Sequence, residues 1–276
     1  MTVEVGIFRI TPEKAARLIE THNTHNRDVD ERRIDQYAAD MRSGDWEING
    51  EAIKIADDGT LLDGQHRLLA CLEAELPFDS IVVTGLSRKA QESMDQGRPR
   101  GLHDVLKLRG EGDPNVLARA VRIVTVYEAT GVPYLGGWKR APTNHESLRT
   151  LERNPEIRDA CKYASRRLKR RWLPVSLVGA LHFLFCSVDE EASIAFFDAL
   201  TGDEALPFGS PILTLRQVLL ADLEDPERRL HNRTKTAFIV IAWNAWRAGR
   251  QLPELRWSTD QEFPPIHGLI AQALAA

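Results

Sequence analysis

Strand-forming sequence stops early in this chain. Val3 to Ile10 alternates apolar and polar residues, Ala52 to Ala56 puts Ile53 and Ile55 on one face, and Ser80 to Thr84 carries an Ile-Val-Val run. Each reads as a β-strand. Beyond Gly110-Glu111-Gly112-Asp113-Pro114 no stretch does. Helical periodicity takes over at Asn115–Thr130, His145–Arg153, Pro155–Arg171, Val175–Ser187, Asp189–Leu200, Thr214–Leu223 and Arg228–Ala248, with a Gly- and Pro-containing loop over Val132–Thr143. A chain of 276 residues ordered in this way is an α+β protein of two lobes, 1–110 with strands and helices and 111–276 all helical.

Local signals in the first lobe are clear. Thr11 caps a short helix over Pro12–Glu20, with proline at its first position. Asp30 caps the next, where Ile34, Tyr37, Ala38 and Met41 form one buried stripe and Gly44 ends it. Asp57-Asp58-Gly59 is a hairpin turn. A helix is expected over Ser87–Met94, and another restarts at Leu102, Val105 and Leu106.

Composition narrows the function classes. With 36 basic and 40 acidic residues there is no global basic field to demand nucleic acid. Cys71, Cys161 and Cys186 form no metal-spaced pair, and each sits in an apolar helical context, as buried free thiols in a reducing cytosol would. Met1 to Lys14 carries no secretory pattern, and the longest apolar run, Leu173–Cys186, is too short to span a bilayer. The expectation is a cytoplasmic protein with no membrane partner.

The chemistry concentrates at Thr60–Ala70. Here a short apolar strand meets an Asp63-Gly64 turn and then the first turn of an amphipathic helix. A helix start carries unpaired N–H groups and favours negative charge. Gly64 lets a ligand approach the backbone, and Gln65, His66 and Arg67 add two neutral donors and a fixed cation. That set suits a phosphate; the alternative is an ordinary hairpin-to-helix corner with a surface arginine. Upstream, His22–Arg27 is a polar loop in which His22 and His25 lack a third metal ligand, leaving Asn26 and Arg27 as its functional pair. Downstream, the loop Asp95–Gly101 carries Arg98 and Arg100, either as a solvated turn or folded back over the corner.

In the second lobe the most basic run is Ser165–Trp172. Its Arg166, Arg167, Lys169 and Arg170 either grip a polyanion such as DNA or form a solvated helix face. Trp243 and Trp246 read as helical core, with base stacking as the alternative.

The order of elements from about Ile10 to Gly110, together with the Asp63-Gly64-Gln65-His66-Arg67 block, resembles the ParB/sulfiredoxin superfamily. The whole chain resembles the ParB-like "nuclease domain" proteins of actinobacteria and their phages, with Met94–Arg98 and Ala242-Trp243-Asn244 adding to the likeness. The resemblance implies a small mixed sheet with helices and a corner that binds the phosphates of a nucleotide (ATP, ADP or CTP). Arg67 would be its main charge, and Asn26 and Arg27 would stand where relatives place ligand-contacting groups. The chain departs from the superfamily's free-serine kinases, which carry a catalytic glutamate where Asn26 stands. It departs from sulfiredoxins too, since none of residues 63–67 is a cysteine.

The expected function is therefore nucleotide binding with phosphoryl transfer or hydrolysis. Asp63, Glu51 and His66 are the catalytic candidates; Asp63 or Glu51 would bind Mg²⁺ or orient the acceptor, and Arg98 or Arg100 would close over the developing charge. The alternative is a DNA-binding ParB-like protein, either switched by nucleotide or a nuclease that joins Glu51, Asp63, Asp95 and Asp104 around a metal. A homodimer is compatible with either.

Overall fold

In the computed structural model, residues 2–23, 29–93, 101–137, 140–168, 172–225 and 229–269 are described. The chain divides into two compact units, Met1–Pro99 and Arg100–Ala276. It is an α+β protein, with all the described strands in the first unit.

That unit contains β1 (Glu4–Ile10), α1 (Pro12–His22), α2 (Glu31–Arg42), β2 (Ala52–Ala56), β3 (Leu61–Asp63), α3 (Gln65–Ala74) and β4 (Phe78–Leu86). The four strands make one mixed sheet in the order β1-β4-β2-β3. β1 runs antiparallel to β4, β4 parallel to β2, and β2 antiparallel to β3. Thr11 and Asp30 cap α1 and α2 through their side chains, as their sequence context predicts. Ile34, Ala38 and Met41 of α2 and Leu68 and Cys71 of α3 pack with Ile10, Ile53, Phe78 and Val82. Register places Ile10, Phe78, Val82 and Ile53 on one face of the sheet. The helices therefore cover that face.

The other face is built from Val5, Ile7, Ile81, Val83 and Lys54. Alternation in β1 predicts one buried face, yet Val5, Ile7 and Phe8 are 68%, 67% and 51% exposed. The reason is position: β1 is an edge strand, and Val5 and Ile7 point away from the helices. After β4 the expected helix over Ser87–Met94 is a 3-10 segment, Arg88–Ser93.

The second unit contains α4 (Leu102–Leu108), α5 (Pro114–Thr130), α6 (Asn144–Arg153), α7 (Ile157–Arg167), α8 (Val175–Cys186), α9 (Glu190–Thr201), α10 (Pro211–Glu224) and α11 (Asn232–Arg247). Its described residues hold no strand. Leu102 and Leu106 of α4 join this unit's core, so the division falls before α4 and not at the composition change near Gly110. α8 is apolar on every side except at Ser176 and His182 and is buried from Ser176 to Phe185, as such a helix must be. Trp243 is 0% exposed, stacked on Phe185 at 4.3 Å and meeting Phe196 edge-on. It is core, not a platform for bases. Among the described residues no helix is long and apolar enough to cross a membrane.

Candidate functional site

The corner after β3 is built by a bulge. Lys54 pairs with Asp63 and Ile55 with Leu61, so Leu62 is an extra residue on β3. The insertion turns Asp63 to the face opposite Leu61, beside Lys54. Leu62 itself is buried, and its carbonyl accepts a hydrogen bond from Gln91 Nε2 at 3.1 Å. Lys54 Nζ then lies 2.8 Å from Asp63 Oδ2.

Gly64 follows at φ +107°, as the N-cap of α3 and without a side-chain cap bond. A Cβ there would stand 3.0 Å from Ile53 Cγ1 and 3.3 Å from its Cα. Glycine is required twice over, for its dihedral and for the close approach to β2.

The first turn of α3 is not the solvent-facing turn its polarity suggests. Gln65, His66 and Arg67 are 4%, 5% and 8% exposed. Arg67 Nη2 donates to the carbonyl of Ala52 at 2.9 Å and lies 3.6 Å from Asp63 Oδ2. Asp63 thus balances one of two cations. Arg67 is the buried partner and Lys54, with its side chain 25% exposed, the one nearer solvent. Lys54 escapes sequence reading because its place beside Asp63 depends on the bulge; a lysine across a hairpin from an Asp-Gly turn is the signal that would find it.

Gln65 and His66 face the α1–α2 connection. Asn23 Nδ2 donates to Gln65 Oε1 at 3.3 Å, and the N–H of Asp30 donates to His66 Nε2 at 3.0 Å. The corner therefore grips both sides of the segment holding Asn26 and Arg27. Those two residues lie outside the described set, as do Asp95, Arg98, Arg100, Lys169 and Arg170.

Glu51 is exposed just before β2, where its N–H donates to Asn49 Oδ1. Asp63 is poorly suited to Mg²⁺, since two cations already crowd its carboxylate. Asp104 accepts the N–H of Gly101 at 2.9 Å as a helix cap. In the second unit Arg167 is engaged by Asp198 at 3.3 Å and lies over the Tyr163 ring, while Arg166 is exposed on α7.

One further cluster combines types that often do chemistry. His182 Nδ1 is 2.8 Å from Ser193 Oγ and 3.6 Å from Cys186 Sγ, and its ring stacks on Tyr163 at 4.0 Å. Burial pushes the imidazole down to about 4 and the Cys186 thiol up. At neutral pH this is a neutral base beside a protonated thiol, the opposite of an activated nucleophile. Cys71 and Cys161 are likewise pushed up by burial, to about 11 and about 12.

Comparison of the chain with protein-family models, characterised proteins and solved structures finds no match.

Proposed function

We propose that the first unit is a ParB/sulfiredoxin-like module that binds the phosphates of a nucleotide at the start of α3. The observation that carries this is the charge balance at the corner. Lys54 and Arg67 share one carboxylate, Asp63, beside the N-terminal end of a helix entered through a glycine. A unit of positive charge beside a helix start favours an anion. In this reading Lys54 meets the phosphate and Arg67 backs it from inside, while Asp63 holds the two cations in place. Mg²⁺ arrives on the nucleotide and is not held by Asp63. Phosphoryl transfer or hydrolysis is the reaction such an arrangement suits, because positioning and charge stabilisation supply most of its catalysis.

The test is calorimetric titration of ATP, ADP and CTP with Mg²⁺ into the full chain, with the unphosphorylated nucleosides as controls. Lys54→Ala is expected to weaken nucleotide binding by about tenfold or more, the scale of one charge-assisted hydrogen bond. Wild-type protein that binds none of the nucleotides, or a Lys54→Ala variant that binds as tightly as wild type, overturns the reading.

A further inference from the structure

We propose that two copies of this chain associate through β1, extending the sheet across a two-fold axis that passes beside Gly6. β1 ends the sheet: one side of its backbone is bonded to β4, and among the described residues no strand pairs with the other. An open edge of seven residues is a template for another strand unless something blunts it. Within the described strand no such device interrupts the edge. The strand has no proline, its register with β4 is unbroken over Glu4–Ile10, and its charges stand near the ends, at Glu4 and Arg9.

The exposed side chains say what kind of partner fits. Val5 and Ile7 are exposed on the helix-free face, and Phe8 on the face that carries the helices. A helix laid on the sheet would cover only one of these groups. A strand added at the edge covers both, because its own side chains alternate between the faces.

Gly6 selects the register. Glycine inside a strand weakens it and often marks a place where another backbone comes close. Here the Phe8 ring folds over it, 2.7 Å from where a Cβ would be. Antiparallel self-pairing with Gly6 opposite Gly6 of the second copy puts Val5 against Ile7 twice. The two Phe8 rings then flank the paired glycines, the arrangement by which aromatics shield glycine in edge strands. The two-fold makes one patch serve both copies.

The exposed fractions of Val3, Val5, Ile7 and Phe8 correspond to roughly 400 Å² of side-chain surface per copy, on the scale of about 150–250 Å² for a large side chain. Two copies with their paired backbones come close to the roughly 1,200 Å² at which specific interfaces begin. An interface this small belongs with weak, reversible associations, and we set the expected Kd on the order of 10 µM.

Sedimentation equilibrium of the full chain without nucleotide tests this, with hydrogen exchange of the β1 amides measured at low and high protein concentration. Wild type should pass from monomer to dimer as concentration rises, and the β1 amides should slow in parallel. Ile7→Lys should move the midpoint upward at least tenfold, and Val5→Lys should do the same from an independent position. Both side chains are exposed, so circular dichroism should be unchanged. A chain that stays monomeric well above the stated Kd overturns the proposal. So does a dimer that survives both lysines, or one whose β1 amides exchange as in the monomer. β1 amides that slow only when an unrelated strand-forming peptide is added would assign the edge to a foreign partner instead. None of these results depends on nucleotide binding.

Discussion

The backbone N–H of Asp30 is bonded to Nε2 of His66, so the residue that caps α2 is held by the first turn of α3. Removing the ring leaves a half-buried donor without its acceptor. His66→Ala should cost about 1–2 kcal/mol. Amide exchange should resolve the loss locally, with the Asp30 N–H exchanging faster in the variant while the β4 amides are unchanged.

Gly64→Ala is expected to destabilise the first unit by about 1–3 kcal/mol, because it forces alanine into a left-handed backbone against Ile53. Urea unfolding would read the shift. Nucleotide affinity should fall beyond what unfolding explains, since the same strain displaces the start of α3.

His182 makes the second unit sensitive to acid. Burial holds its pKa at about 4, below the ordinary 6.5, so between these values the unfolded chain binds a proton that the folded one refuses. Stability is therefore full above about pH 6.5, falls as pH drops toward 4, and loses nothing more from this group below that. The contribution is about 3 kcal/mol. Denaturant unfolding of wild type and His182→Gln at pH 7 and pH 4.5 would show it, with the variant losing less between the two.

Trp243→Ala should remove about 3–5 kcal/mol, because the indole is fully enclosed and stacked on Phe185. Thermal unfolding monitored by circular dichroism would measure the loss. DNA affinity, if the chain has any, should not depend on this side chain.

The parts of this molecule that are local in sequence are the parts a reader of the sequence can find. The Thr11 and Asp30 caps, the Asp57-Asp58-Gly59 turn and the Gly64 helix entry each follow from a few adjacent residues whose chemistry acts on their own backbone. The α8 core segment is equally plain, since all but Ser176 and His182 of it is apolar. What stays hidden depends on pairing at a distance. The Lys54–Asp63 contact needs Leu62 to stand outside the regular pairing, and such a bulge leaves no pattern in composition or period. Gln65, His66 and Arg67 are three polar residues in succession and read as surface; they are buried because Asn23, Asp30 and Ala52 supply partners from three other segments. β1 misleads in the opposite sense, since alternation announces a buried face and cannot tell a central strand from an edge.

The unpaired Leu62 also limits how this hairpin can change over time. Were Leu62 drawn into regular pairing, Asp63 would come opposite Ile53 on the face of Leu61, stranding an anion among hydrocarbon and two cations without a counterweight. Loss of the Leu62 codon would instead leave Asp63 directly after Leu61 and still opposite Lys54, in an unbroken ladder. The face on which residue 63 emerges, more than the identity of any one aliphatic side chain, is what descendants of this chain would have to preserve.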